Sequence, residues 1–326
     1  MKSSTFTFDG CDGIAVHAYE WAPDGAPRAI VQISHGMQEH AARYARAAAR
    51  LTRAGYVVFA GDHRGHGLTL VGPGKYGHLG QEGHRAVVED LKHLTDIARQ
   101  KYPGLPVFLL GHSWGSFLNQ VYIQRWGNAL KGVILSGTNG IGPPMGLVVA
   151  LCRAVTRFRG ADRVAGFLEK MVMGHFNKAF RPGRTGVEWL TRDEAEVDKF
   201  LADPICGIRF PNSFFLDMMT MLRNTWRKKN ERQVPRELPI LMFAGTKDPA
   251  GYCNRGVVAL AKRYRKYGVR DVTTRFYDGG RHEMLNETNR DEVVADLITW
   301  LDARMKSESA ESLPQGLEGK GFPQTA

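Results

Sequence analysis

The sequence has no run of about 18 or more uncharged apolar residues, which excludes a helix that crosses a bilayer. Its opening residues, Met1 to Phe8, are polar and lack the apolar stretch of a secretory leader, so export is not expected and a cytoplasmic location is. Cysteine is sparse: Cys11, Cys152, Cys206 and Cys253 are widely separated and show neither CxxC pairing nor zinc-ligand spacing. That leaves no basis for a disulfide framework or a metal knot, and buried free thiols are expected. Internal repeats are absent. Apolar residues become scarce only after Arg304, where Ser, Glu, Gly and Pro dominate, and residues 307–326 are expected to form a flexible tail.

What is present describes an ordinary folded protein. The chain has 326 residues, 43% apolar and 24% charged, close to the soluble average and ample for a buried core. The net charge of +11 is dispersed, with only short clusters such as Arg227-Lys228-Lys229, and so reads as a solvated basic face. No nucleic-acid partner is expected, while weak peripheral contact with anionic membranes stays open.

Thr5–Phe8 and Ile14–Trp21 alternate apolar and polar residues around the turn-like 9–13 segment, predicting a hairpin at one sheet edge. Short apolar runs then alternate with helical spacing. Strands are predicted at Ala29–Ser34, Tyr56–Ala60, Val107–Leu110 and Gly132–Leu135, and helices at Ala41–Ala54, His84–Gln100 and Ser116–Trp126. Strands apolar on both faces and separated by amphipathic helices imply an α/β fold with a mostly parallel sheet between helix layers. The rhythm breaks between Gly140 and Arg232, a stretch rich in Met, Phe and Arg, and returns with Leu238–Ala244, Asn254–Lys266, Val272–Tyr277 and Arg290–Arg304. The expected organisation is a discontinuous core, 1–139 and 233–306, interrupted by a helical cap at 140–232.

Chemistry concentrates at strand ends. Gly111-His112-Ser113-Trp114-Gly115 lies between a predicted strand and a predicted helix, the context in which G-x-S-x-G forms a nucleophile elbow. A serine hydroxyl needs an adjacent base, and His282, past strand Val272–Tyr277 in a glycine-containing loop, is placed to supply it. The acid that orients the histidine belongs between them in chain order. Asp248, after strand Leu238–Ala244, is favoured, with Asp278 as the alternative. Backbone N–H groups of Met37, in the His35-Gly36-Met37 loop, and of Trp114 are the expected oxyanion donors; both side chains are also candidates to line a pocket. Asp62-His63-Arg64-Gly65-His66-Gly67 is better read as a tight turn than as a metal site, and His282-Glu283-Met284-Leu285-Asn286 fails the HExxH pattern at its last position. Neither metal nor cofactor is expected.

These residues resemble the monoacylglycerol lipase and lysophospholipase group of α/β hydrolases, filed also with serine aminopeptidase S33-type hydrolases. The likeness covers roughly residues 10–304 and is weakest in the cap. It is carried by His35-Gly36-Met37-Gln38-Glu39-His40 with Arg43-Tyr44, by Tyr102 to Ser113, and by Gly245-Thr246-Lys247-Asp248 and Gly280-Arg281-His282-Glu283. The resemblance implies an eight-stranded sheet, a helical cap over an acyl-chain tunnel, and hydrolysis through an acyl-enzyme. It also implies that Glu39 and Arg43 help hold the polar head of the alcohol; the alternative for this i,i+4 pair is a surface ion pair. Trp114 and Ser116 depart from the Met and Gly usual in such lipases, which leaves the backbone chemistry intact and alters the acyl pocket.

The expected function is therefore a serine carboxylic-ester hydrolase acting on a single-chain lipid ester, monoacylglycerol or lysophospholipid. A short-chain carboxylesterase, an aminopeptidase or an acyltransferase would use the same triad. A non-catalytic scaffold is disfavoured because all three triad positions are filled, and an epoxide hydrolase or dehalogenase would need a carboxylate where Ser113 stands. Phe158, Phe167, Leu168, Met171, Met173 and Phe176, with Phe210, Phe214, Phe215, Met218, Met219 and Met221, are expected either to line a greasy tunnel or to form the cap's own core.

Overall fold

The computed structural model describes residues 1–72 and 75–311, so most of the predicted tail, 312–326, lies outside the described residues. A hairpin of β1 (Lys2–Asp9) and β2 (Ala15–Ala22) opens the chain. The α/β alternation follows with β3 (Ala29–Ser34), α1 (Ala45–Arg53), β4 (Tyr56–Gly61), α2 (His84–Lys101), β5 (Val107–His112), α3 (Trp114–Trp126) and β6 (Gly132–Ser136). The cap contributes α4 (Met145–Arg159), α5 (Gly166–Met173), α6 (Glu194–Ala202), α7 (Asn212–Thr225) and α8 (Lys228–Glu231). The alternation resumes with β7 (Ile240–Gly245), α9 (Arg255–Lys266), β8 (Val272–Tyr277) and α10 (Arg290–Glu311). No helix among the described residues is long and apolar enough to cross a membrane.

The eight strands form one sheet in the order β1-β2-β4-β3-β5-β6-β7-β8. β1 pairs antiparallel with β2, and β2 with β4; every other neighbouring pair is parallel. Period-two alternation divides each central strand between two cores. Val107 and Leu109 of β5 face the layer that contains Leu91 of α2, Leu118 of α3 and Leu260 of α9, and that layer continues into the cap. Phe108 and Leu110 face the opposite layer, with Leu51 of α1 and Leu297 of α10.

Several limits shift by one to three residues, and the first helix and α10 depart further for identifiable reasons. The predicted helix Ala41–Ala54 begins as a 3-10 turn, Ala41–Tyr44, where the Ala41 N–H is drawn to the Asp62 carboxylate at 2.8 Å. α10 continues to Glu311, beyond the point where the composition changes, because Ser and Glu are tolerated on a helix already seated by Val293, Leu297 and Leu301.

Candidate active site

The ends of β5, β7 and β8 bring the three expected residues to one edge of the sheet, beside the reversal of strand order at β3, where open α/β sheets present ligand sites. β5 ends at His112 and α3 starts at Trp114, so Ser113 alone makes the bend, with φ 51° and ψ −119°. That conformation disfavours any side chain and persists only when its surroundings enforce it. Crowding is the enforcement. A Cβ on Gly115 would sit 2.1 Å from the Ser34 carbonyl oxygen, and one on Gly111 would sit 2.6 Å from the Gly115 oxygen.

His282 is buried, and its Nδ1 donates to both carboxylate oxygens of Asp248 at 3.0 Å. With its proton held there, the neutral ring offers Nε2 as a base. Burial pulls the His282 pKa down, but the charge of Asp248 and its hydrogen bond outweigh that and raise it above the ordinary 6.5. Of the two carboxylates left open by the sequence, it is Asp248 that His282 Nδ1 contacts, while Asp278 is exposed and accepts from Thr246 Oγ1 at 3.2 Å. Gly137 has φ 56° and has no room for a side chain, since a Cβ would lie 2.9 Å from His282 Cε1.

Ser113 and His282 lie on the wall of one cavity of about 640 Å³, within the range of small-ligand sites. Met37 and Trp114 line it as well. Among the described residues their main-chain N–H groups have no hydrogen-bond partner. The Trp114 indole is buried, stacked on His66 with ring centres 5.0 Å apart and packed on Phe214.

Glu39 and Arg43 form an ion pair, Nη1 to Oε2 at 2.6 Å, with Glu39 buried and Arg43 half-buried; Glu39 lines the main cavity and Arg43 does not. Its guanidinium is also held by Glu283 at 2.7 Å, a partner that no sequence spacing signals. Asp62 accepts from the main-chain N–H of Ala41 at 2.8 Å and of Leu68 at 2.9 Å, so the 62–67 segment is a turn. The only His/Asp/Cys trio among the described residues compact enough for a metal is His40, Asp203 and Cys206; His40 Nε2 already hydrogen-bonds Asp203 Oδ2 at 2.8 Å. The apolar cap residues divide. Met171, Met173, Phe176, Met218 and Met219 line the cavity, Leu168, Phe210, Phe214, Phe215 and Met221 pack the core, and Phe158 is 85% exposed. Phe167 is exposed too.

Sheet order, elbow and helical cap together define the α/β-hydrolase class, and the chain is a hydrolase. Residues 25–289 match the Hydrolase_4 family, serine aminopeptidase S33, and the chain belongs to it. It is 29% identical over 306 residues to a monoacylglycerol lipase of Mycolicibacterium smegmatis, covering 92% of this chain and 99% of that one. A monoglyceride lipase of Rattus norvegicus is 29% identical over 316 residues, covering 93% and 92%. Among solved structures, a carboxyl esterase from Bacillus coagulans, in complex with glycerol, superposes with a TM-score of 0.86 at 30% identity, covering 94% of this chain and 99% of that one.

Proposed function

We propose that the chain is a serine carboxylic-ester hydrolase that cleaves single-chain lipid esters, monoacylglycerol or lysophospholipid, with Ser113 as nucleophile, His282 as general base and Asp248 as the orienting acid. The observation that carries this is the His282–Asp248 pair, 3.0 Å to each carboxylate oxygen, on the wall of the cavity that also holds the strained Ser113. His282 Nε2 takes the Ser113 proton as Oγ attacks the ester carbonyl. The main-chain N–H groups of Met37 and Trp114 stabilise the oxyanion. His282 then returns the proton to the departing alcohol, and the acyl-enzyme is cleared by water that the same imidazole activates.

The Met-lined cavity supports an acyl chain as the substrate's apolar part, since thioether side chains give adaptable walls. A relative solved with glycerol favours a glycerol ester. That relative is a carboxyl esterase, which favours a short-chain carboxylesterase as the second reading. The enzyme works in the cytoplasm and touches anionic membranes weakly. Support for the contact comes from α4 and the turn after it, where exposed Leu147, Leu151, Phe158 and Val164 sit among Arg153, Arg157, Arg159 and Arg163.

Ser113→Ala tests the core of this reading. Turnover of monoacylglycerol should vanish with little change in thermal unfolding, and a fluorophosphonate should label wild type alone. Comparable turnover in the variant overturns it. A panel of esters of rising chain length, lysophospholipids and aminoacyl amides separates the alternatives: a preference for acetyl or butyryl esters selects the carboxylesterase, and amide cleavage the aminopeptidase.

A further inference from the structure

A charged trio of buried Glu39 and Glu283 with half-buried Arg43 stands beside the reaction centre without belonging to the triad. Arg43 Nη1 donates to Glu39 Oε2 at 2.6 Å and to Glu283 Oε1 at 2.8 Å, while Nη2 donates to Glu283 Oε2 at 2.7 Å. Glu39 Oε1 in turn accepts from the Gly36 N–H at 2.6 Å and the Tyr44 hydroxyl at 2.9 Å. Gly36 immediately precedes Met37, and Glu283 immediately follows His282. One guanidinium therefore ties the loop that carries an oxyanion donor to the loop that carries the base. The fit is close: a Cβ on Gly36 would lie 2.7 Å from Glu39 Oε1 and 3.3 Å from Ser113 Cβ.

The charges of the trio do not balance. Burial works against the Glu283 carboxylate, yet Arg43, by charge and hydrogen bond, holds its pKa well below the usual range, so it is ionised. His112, with its ring 4.7 Å from that of His282, is pushed down to about 4 by burial, with the charge of His282 adding to the effect, and stays neutral. Two carboxylates thus share one guanidinium. Buried ionic groups of this kind are commonly less stabilising than apolar packing of the same volume, so fold stability is a poor reason for them. A nearby positive charge would use the excess, and one appears when His282 accepts the Ser113 proton.

We propose that Arg43 is a positioning residue which, through Glu39 and Glu283, fixes the oxyanion loop against the His282 loop, and that the surplus carboxylate charge stabilises the imidazolium formed in catalysis. This rests on the catalytic reading above. It differs from a direct role for Arg43 in holding the alcohol, because Arg43 is occupied on both sides and does not reach the main cavity, which Glu39 and Glu283 line.

The experiment uses steady-state kinetics on a soluble short-chain ester across pH, with fluorophosphonate labelling and a thermal melt for each protein. Glu39→Gln retains the oxygen that accepts from Gly36 and removes the charge. It should lower kcat between roughly tenfold and a hundredfold with KM little changed, and move the acid limb of kcat/KM to lower pH. Arg43→Met should lose about a hundredfold in kcat, and Arg43→Lys should recover part of that. If Arg43→Met does not fold, Glu39→Gln and Arg43→Lys decide. Wild-type kcat with a raised KM in Glu39→Gln, or an unmoved acid limb, overturns the proposal. Absence of labelling in wild type would sink the catalytic reading itself, a distinct failure.

Discussion

The two halves of the cap are attached to the molecule in opposite ways. The segment from Glu188 to Gly207 is stitched to the sheet domain around His282. Arg281 Nη1 donates to the carbonyls of Glu188 and Thr191, Arg192 pairs with Glu287 at 2.9 Å, Asp193 with Arg290 at 2.6 Å, and Arg46 with Glu196 at 2.8 Å. The Glu283 N–H donates to the Leu190 carbonyl at 2.7 Å, and the Gly207 N–H to that of Gln38 at 2.9 Å. The α4–α5 half has thin polar ties instead: Gln38 Nε2 to Glu169 at 3.2 Å, and His78 to the exposed Asp162 at 3.7 Å. Its apolar residues serve two sides, with Met145 and Val148 on the cavity and Leu147, 72% exposed, turned outward. The stitched part is bonded to the loop that carries His282, and both parts line the cavity, the α4–α5 part through Met145, Val148, Met171 and Met173.

The sharpest test strikes the frame. Asp248→Asn should lower kcat on a soluble ester on the order of 10⁴-fold by analogy with triad proteases, whereas Asp278→Asn should stay near wild type. A large loss at Asp278 would mean that the acid lies elsewhere. Glu287 is fully buried and accepts from Arg192 Nε at 2.9 Å and from the Arg281 N–H at 2.9 Å. Glu287→Ala should cost about 2 kcal/mol in denaturant unfolding, because it leaves the half-buried Arg192 and Arg281 donors without their acceptor.

Next comes pH. Because the His282 pKa is raised and the base must be neutral, kcat/KM should fall on the acid side around a pKa above 6.5. Polar substitutions on the outer face of α4 should leave that limb in place. The smallest expected effect lies in the loosely tied half: Leu147→Ser with Phe158→Ser should alter unfolding free energy by no more than about 0.5 kcal/mol. Retention on anionic vesicles should fall in the same variant. A stability loss like that of Glu287→Ala would erase the contrast between the halves.

What was readable in the sequence follows the range of the interactions. The core helices and strands announce themselves through local periodicity, and Val272–Tyr277 has its predicted limits. Ser113, Asp248 and His282 are legible as candidates because each follows the end of a predicted strand. The Arg43–Glu283 pair spans 240 residues and leaves no trace in local pattern. The family resemblance singles out Glu39 and Arg43, and their i,i+4 spacing alone does not tell a surface pair from one packed inside. Apolar character likewise could not sort the cap: Phe158 and Phe176 look alike in sequence, yet one faces out and the other lines the cavity.

The bend at Ser113 leaves a permanent handicap in the thermodynamics of the chain. Its backbone setting costs about 1–3 kcal/mol, and glycine would relieve most of it. Robustness alone would favour glycine there, so the side chain at this bend is carried at a cost in stability.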